Sequence, residues 1–218
     1  QQRIEGQNLQ YLKKGTSSAE SLTLSFWVYA TKTGTNICEL YDADNTRQIS
    51  KSYTVDTTNT WEKKTITFAG DTSGTLDNDN ATSMTLLFWL GAGSNFTSGT
   101  LNTSWASATT ANRAVGQVNH ADSTSNNFYI TGIQLEAGSV ATDFEVETFG
   151  QNLQRCQRYY EKSYNYADPP ATTGSGGSNG LQFGGATANI DASVLMSVRK
   201  RAAPTLTVYD LAGTSNKA

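Results

Sequence analysis

The sequence predicts a mostly β protein in which a β-sandwich is followed by one amphipathic helix and a small β-rich C-terminal domain. Two observations predict the sandwich: short alternating or apolar runs fill most of residues 3–147, and polar clusters such as TKTGTN and DADNTR separate them. This pattern is typical of all-β sandwiches. A third observation, apolar residues at helical spacing from Phe149 onward, marks a change of structure. We therefore predict domains at residues 1–147 and 148–218.

Seven strands are predicted in the first domain, each bounded by residue types that tolerate turn geometry. They are Leu22–Thr31, Ile37–Tyr41, Gln48–Val55, Trp61–Phe68, Met84–Gly91, Asn127–Leu135 and Ala141–Glu145. The long polar segment Asn95–Ser125 lies between the fifth and sixth strands, and we interpret it as an excursion anchored by Trp105.

Two of these strands carry the same pattern, LTLSFWVYA and MTLLFWLGAG, in which Phe26 corresponds to Phe88 and Trp27 to Trp89. Successive side chains of a strand point to opposite faces of its sheet. If both strands belong to one sheet, both Phe residues lie in the core and both Trp residues lie together on the other face.

The second domain begins with a predicted helix at Gly150–Tyr164. Its apolar face carries Phe149, Leu153, Cys156 and Tyr160, at positions i, i+4, i+7 and i+11. This face either docks on the sandwich or lines a subunit interface, and we favour docking within the chain with an interface nearby.

The remainder of the second domain combines a linker with two predicted strands. The segment NYADPPATTGSGGSNG has the composition of a loop or linker. Strands are predicted around Asn189–Val198 and Thr205–Asp210, and Pro204 precedes the second of them. The last residues close no pattern, so we expect this domain to be truncated.

Three stretches of the chain together resemble one known family. They are SLTLSFWVYATKTGT, TWEKKTITFAGDTSGT and FYITGIQLEAGSVATDFEVETFGQNLQRCQRYYEKSY, with RKRAAPTLTVYD further on. They resemble a recurrent module of bacteriophage tail-fibre and other virion proteins, in which a carbohydrate-binding-module-like jelly roll ends in a GxQLExGxxATxFE strand pair. A CQRYYxKS helix and a small β-rich domain follow. The matching positions here are Gly132, Gln134, Leu135, Glu136, Gly138, Ala141, Thr142, Phe144 and Glu145, then Cys156, Gln157, Arg158, Tyr159, Tyr160, Lys162 and Ser163.

The resemblance implies a jelly-roll β-sandwich, with upstream strands missing before RIEG, in a non-enzymatic protein of the virion that is assembled in the bacterial host cytoplasm. Its partners would be other virion proteins and further copies of itself, with a trimer favoured. The implied function is recognition of host-surface polysaccharide by a tail fibre or spike. Two alternatives stay open: a capsid decoration or fibre-anchoring protein without a ligand, and a carbohydrate-binding module of a bacterial glycosidase. The segment CQRYYEKS argues against the glycosidase.

Composition and charge argue against two classes of partner. Charged residues make up 16% of the chain, the net charge is −3, and no block of Lys or Arg is present. A nucleic-acid or anionic-membrane surface needs such a block, so we expect neither partner. The apolar runs are far shorter than the roughly 20 residues of a membrane-spanning helix. Cys38 and Cys156 belong to no metal-binding spacing, and we expect both to be free, buried thiols, although a disulfide stays open.

The sequence offers one carboxylate pair and one histidine as candidates for catalysis. Glu136 and Glu145 are the candidate carboxylate pair of a hydrolase, but a carboxylate beside the last strands is better explained by hydrogen bonds to turn amides or by a pairing with an arginine. The single histidine, His120, has no nucleophile context, and we expect it to be exposed on the surface. We therefore expect no catalytic residue and no cofactor.

The polar segment DTSGTLDNDN is the one candidate for a structural calcium site. It supplies Asp71, Asp77 and Asp79, whose carboxylate oxygens are the ligands that Ca²⁺ prefers. The spacing does not match an EF-hand loop, so an exposed turn is the favoured interpretation.

Aromatic side chains are the remaining candidates for ligand binding. A sugar presents apolar C–H faces and hydroxyl groups, so a lectin-like site pairs a Trp or Tyr with polar side chains at its rim. Trp27, Tyr29, Trp89 and Trp105 are the candidate residues. The same residues suit a second packed layer, a face covered by the long excursion, or a subunit contact.

Overall fold

The chain forms an antiparallel β-sandwich, as the sequence predicts. The computed structural model describes residues 1–173, 196–209 and 212–215. Its contacts divide the chain into two compact units, Gln1–Glu145 and Val146–Ala218.

The first unit contains all the named strands and one short helix, α1. The strands are β1 (Gln2–Glu5), β2 (Leu22–Ala30), β3 (Gly34–Asp42), β4 (Arg47–Val55), β5 (Glu62–Phe68), β6 (Thr82–Phe88), β7 (Ala106–Ser107) and β8 (Phe128–Ala137). Helix α1 spans Ser94–Thr97, and single 3-10 turns occur at Gly6–Asn8, Gln10–Leu12, Thr110–Asn112 and His120–Asp122.

The strands form two antiparallel sheets. A five-stranded sheet has the order β1-β6-β3-β4-β7, and a three-stranded sheet has the order β5-β2-β8. Alternation along β2 turns Leu24, Phe26 and Val28 inward, and all three are buried. The β-rich patterning of the sequence therefore produces two amphipathic layers that share one core.

Phe26 lies at the centre of this core. Its ring meets Tyr53 of β4 and Phe88 of β6 edge to face, with 5.1 Å between centroids in each case. Such pairs add about 0.5–1.5 kcal/mol beyond the area that they bury. The two sheets are therefore joined by aromatic contacts from opposite sides of the sandwich.

The prediction that the two FW-bearing segments share a sheet is wrong. Strand β2, with Phe26, belongs to the three-stranded sheet, whereas β6, with Phe88, belongs to the five-stranded sheet. The two Phe rings therefore meet across the core. Trp27 and Trp89 consequently do not lie on one face.

Several predicted boundaries also differ from the structure. Strand β6 ends at Phe88 rather than Gly91, and residues Ala141–Glu145 form no strand. Strands β1 and β7 were not predicted, because four and two residues are too few to show a period.

The second unit contains helix α2, Phe149–Gln157. Thr148 and Gln151 form a capping box at its start, in which each side chain bonds the backbone of the other. The helix ends seven residues before the predicted Tyr164. Arg158 is its C-cap, and the Tyr159 amide donates to the Cys156 carbonyl in the tighter i→i−3 pattern typical of a helix end.

One of the two predicted C-terminal strands is absent, and most of the other lies outside the described residues. Residues 205–208 form no strand, and the only pairing here among the described residues is a bridge between Tyr209 and Ser215. Residues 189–195 of the other predicted strand, and Asp210, lie outside the described residues. Both cysteines are free thiols, as predicted, but only Cys38 is buried; the prediction of burial is wrong for Cys156, which is exposed.

Candidate binding surface

Four aromatic side chains gather on the outer face of the three-stranded sheet. Trp27 and Tyr29 point outward from β2, since Phe26 and Val28 point into the core. Tyr129 of β8 is the register partner of Tyr29, with 5.7 Å between ring centroids. Trp61, which precedes β5, lies 5.6 Å from the Tyr29 ring. We call Trp27, Tyr29, Trp61 and Tyr129 the aromatic surface.

This surface is open to solvent. The exposed fraction is 43% for Trp27, 45% for Trp61 and 53% for Tyr129. Lys63 and Thr131 lie beside Trp27 in the register of the sheet, so a charged and a hydroxyl side chain flank the rings. Exposed rings beside polar groups are the combination that a sugar ligand requires.

The other half of the same sheet face is covered by the chain that follows β8. Thr23, at the start of β2, is buried and donates to the Gly138 carbonyl at 2.8 Å. Gln134 donates to the Asp143 carbonyl and accepts from the Glu145 amide. Residues 138–145 therefore cover this end of the sheet, which leaves the aromatic end as the open part of the face.

Glu136 fastens this covering segment. Its carboxylate accepts from Gln134 Nε2 at 2.7 Å and from the backbone and hydroxyl of Thr142 at 3.2 and 2.9 Å. These bonds hold the pKa of Glu136 below its usual value, and the bond from Gln134 has the largest effect. The prediction that Glu136 accepts a hydrogen bond from a turn amide is confirmed.

A bulge in β8 brings the covering segment close to Trp27. The pairing of β2 with β8 shifts between Ser25 and Trp27, and Gly132 in the bulge has φ +57°. A β-carbon at Gly132 would lie 3.4 Å from Trp27 Cδ1 and 3.9 Å from Phe144 Cδ2. Phe144 therefore borders the aromatic surface on this side.

Trp89 lies apart from the aromatic surface and is held by internal contacts. Its indole N–H donates to Glu39 Oε2 at 2.9 Å, and its ring lies 5.1 Å from that of Phe96. Glu39 is wholly buried in β3 of the five-stranded sheet. Trp89 therefore stabilises the start of the long excursion.

Trp105 is likewise a structural anchor. Its indole N–H donates to the Ala69 carbonyl at 2.7 Å, and the Lys14 ammonium lies 5.3 Å from its ring centroid. The ring packs against the hydrophobic core. Of the four predicted ligand-binding residues, the structure brings together Trp27 and Tyr29 only.

The predicted calcium ligand Asp71 lies in an oxygen cage that a lysine fills. Lys14 Nζ lies 2.5 Å from Asp42 Oδ2, 3.0 Å from Asp71 Oδ2, and 2.9 Å from the carbonyls of Ser73 and Gly74. Carboxylates and carbonyls are the ligands of a calcium site. The ammonium of Lys14 supplies the positive charge here instead.

The other members of the predicted calcium set have separate roles. Asp77 donates its amide to Asp44, and the Asp79 carboxylate accepts from the Ala81 amide. Within the described part of the chain, no group of three or more His, Cys, Asp or Glu side chains is arranged to hold a metal ion. Burial alone would raise the pKa of Asp71, but hydrogen bonds from Arg47 and Lys14 outweigh it and lower the pKa.

His120 is buried rather than exposed on the surface. Its Nε2 lies 2.7 Å from Asn36 Oδ1, and its Nδ1 has no hydrogen-bond partner among the described residues. Burial, with the nearby Lys32 charge, lowers the pKa of His120, and Asp122 opposes this shift. The residue fixes the end of the long excursion to β3.

The predicted docking face of α2 is exposed in the second unit. Phe149 and Tyr160 are largely exposed, Leu153 is half-buried and Cys156 is exposed. The Phe149 ring lies 6.4 Å from that of Tyr166. A role in docking or at a subunit interface stays a prediction.

Comparison with known proteins gives no relative, since no family model, curated protein or solved structure matches the chain. Among the described residues, no helix is long and apolar enough to cross a membrane.

Two members of the aromatic surface, Trp61 and Tyr129, were not predicted. Tyr129 alternates with Ile130 in an otherwise predicted strand, but only the register of β2 with β8 places it opposite Tyr29.

Proposed function

We propose that the chain is a non-enzymatic component of a bacteriophage tail fibre or spike, and that it recognises a host-surface glycan through the aromatic surface. The family resemblance supports the setting, and one observation carries the binding role. Trp27, Tyr29, Trp61 and Tyr129 gather on the part of a sheet face that residues 138–145 leave open.

The chemistry of this surface suits a sugar ring. The rings offer apolar faces to C–H groups, while Lys63, Thr65 and Thr131 surround them with hydrogen-bonding groups. Each such contact is weak, and a fibre compensates by presenting several copies. Linked sites gain an avidity of about 10²–10⁴ over a single site when the copies engage together. A homo-oligomer, with a trimer favoured, is therefore part of the proposal.

The experiment is a screen of the whole chain on an array of bacterial surface glycans, followed by adsorption to cells. Trp27→Ala and Trp61→Ala should abolish the signal, because each removes an exposed ring. Tyr11→Ala is the matched control, since Tyr11 is 53% exposed and lies outside the aromatic surface. Folding of each variant is verified by circular dichroism.

Three results would contradict the proposal. Binding to virion shell proteins without any glycan signal would favour a decoration or anchoring protein. Glycan binding that survives Trp27→Ala and Trp61→Ala would place the site elsewhere. Cleavage of a polysaccharide that Glu136→Gln stops would make the chain an enzyme.

A further inference from the structure

A second surface, on the outer face of the five-stranded sheet, carries a depression with two arginines. The depression has a volume of about 410 Å³, and its lining includes Arg3, Tyr41, Thr85, Leu87 and Arg113. Ligand sites in proteins usually have volumes of about 300–1,000 Å³. The depression lies on the opposite sheet from the aromatic surface.

Arg113 is held in a fixed orientation at this depression. Its guanidinium lies 5.0 Å from the Tyr41 ring centroid and 5.5 Å from that of Trp89. Its Nε donates to Glu39 Oε1 at 2.8 Å, and Ser50 donates to its carbonyl at 2.9 Å. The side chain is 21% exposed. Its two terminal nitrogens donate to no described residue, so they remain available as directed donors.

Arg3 supplies a positive charge that no carboxylate of a described residue neutralises, unlike that of Arg113. Because Glu39 balances Arg113, the Arg113–Glu39 pair contributes little net charge. Arg3 lies on β1, is exposed, and forms no ion pair with a described residue. Register places Arg3 beside Thr85 and Thr85 beside Tyr41. Since neighbouring strands lie about 4.8 Å apart, the backbones of β1 and β3 are about 10 Å apart here, and Arg3 and Tyr41 lie on opposite sides of Thr85.

We propose that this depression binds the carboxylate of an acidic saccharide, with Arg113 as the directed donor and Arg3 as the uncompensated charge. Arginine suits this role because its planar N–H groups match a carboxylate in two parallel hydrogen bonds. The strands that carry Arg3 and Tyr41 are about 10 Å apart, so a saccharide can lie over Thr85 between these two positions. The site is separate from the aromatic surface, so it does not depend on the function proposed there.

The experiment is isothermal titration of the whole chain with tetragalacturonate and with its methyl ester, which has the same rings without the charge. We expect binding of the acid alone, weakened by salt because the contact is ionic. Arg3→Gln should weaken it about tenfold or more, the usual loss for a hydrogen bond to a charged group. Arg113→Lys retains a positive charge against Glu39 and should still weaken binding, because a lysine lacks the planar donor pair.

The controls distinguish the depression from the aromatic surface, and a saccharide carboxylate from a simple inorganic anion. Tyr11→Ala, which removes an exposed ring outside both surfaces, should leave the affinity for tetragalacturonate unchanged. Equal affinity for acid and ester, no binding, or a loss with Trp27→Ala but not with Arg3→Gln would overturn the proposal. Displacement of the saccharide by inorganic sulfate at equal concentration would also overturn it, since the site would then recognise any anion.

Discussion

Lys14 Nζ lies 2.5 Å from Asp42 Oδ2, and both side chains are shut off from water, at 3% and 0% exposure. The same ammonium reaches Asp71 and two carbonyl groups. A lysine from the start of the chain therefore joins the β3–β4 turn region to the segment after β5. The positive charge that a bound cation would bring is part of the chain itself.

Lys14→Met should therefore destabilise the sandwich strongly. The variant leaves Asp42 and Asp71 buried with only Arg47 to compensate them, and breaking a buried pair from one side costs about 3–5 kcal/mol. Lys13→Met is the matched control, because the Lys13–Glu20 pair is about half exposed and such pairs contribute about 0–1 kcal/mol. Denaturant unfolding measures both. Equal losses in the two variants would show that the Lys14 cage is not a stabilising element.

Lys14→Ala should make the stability respond to calcium. Without the ammonium, the cage offers two carboxylates, Asp42 and Asp71, and two carbonyls, from Ser73 and Gly74, to which water can add. We expect added Ca²⁺ to raise the unfolding temperature of this variant and to leave that of the unaltered chain unchanged. A similar response in both proteins would mean that calcium acts elsewhere.

Stability should fall as the pH drops below about 6.5 because of His120. The folded protein lowers the pKa of His120 below its ordinary 6.5, so the unfolded chain binds a proton first as the pH falls. The free energy of unfolding is then lost at up to about 1.4 kcal/mol per pH unit until the folded pKa is reached. His120→Gln should flatten this part of the profile. An unchanged slope in that variant would assign the effect to another group.

Phe26→Ala should cost about 3–5 kcal/mol of stability, the range for removing a buried aromatic ring. Phe26 is the ring at which Tyr53 and Phe88 converge from the other sheet. Phe26→Leu, which retains most of the volume, should cost markedly less. A loss below 1 kcal/mol for the alanine variant would contradict the assignment of Phe26 as the centre of the core.

Local patterns in the sequence predicted most strands, but they could not assign strands to sheets. Alternation in LTLSFWVYA identifies the inward side of β2, and this prediction is confirmed by the burial of Phe26. The matching FW pair in MTLLFWLGAG has the same alternation, yet β6 pairs with β1 and β3 and not with β2. Sheet membership depends on pairing between distant segments, which one sequence does not reveal.

The same limit explains why only some residues of the candidate sites could be predicted. Trp27 and Tyr29 were predicted from alternation alone, whereas Trp61 and Tyr129 join them only through the register of β2 with β5 and β8. Lys14 was not predicted, because KKGTSS has the composition of an exposed turn and a lysine is rarely buried without partners. Its partners, Asp42 and Asp71, come from distant parts of the chain.

The most direct test of glycan recognition by the aromatic surface is the set of indole N–H signals in a ¹H–¹⁵N spectrum. The chain has four tryptophans. Trp89 and Trp105 donate their indole N–H groups to Glu39 and Ala69, whereas Trp27 and Trp61 donate to no described residue and are exposed. On titration with an oligosaccharide that binds on the array, the Trp27 and Trp61 signals should shift while the Trp89 and Trp105 signals stay in place. Shifts confined to Trp89 and Trp105, or no shift at saturation, would contradict the account.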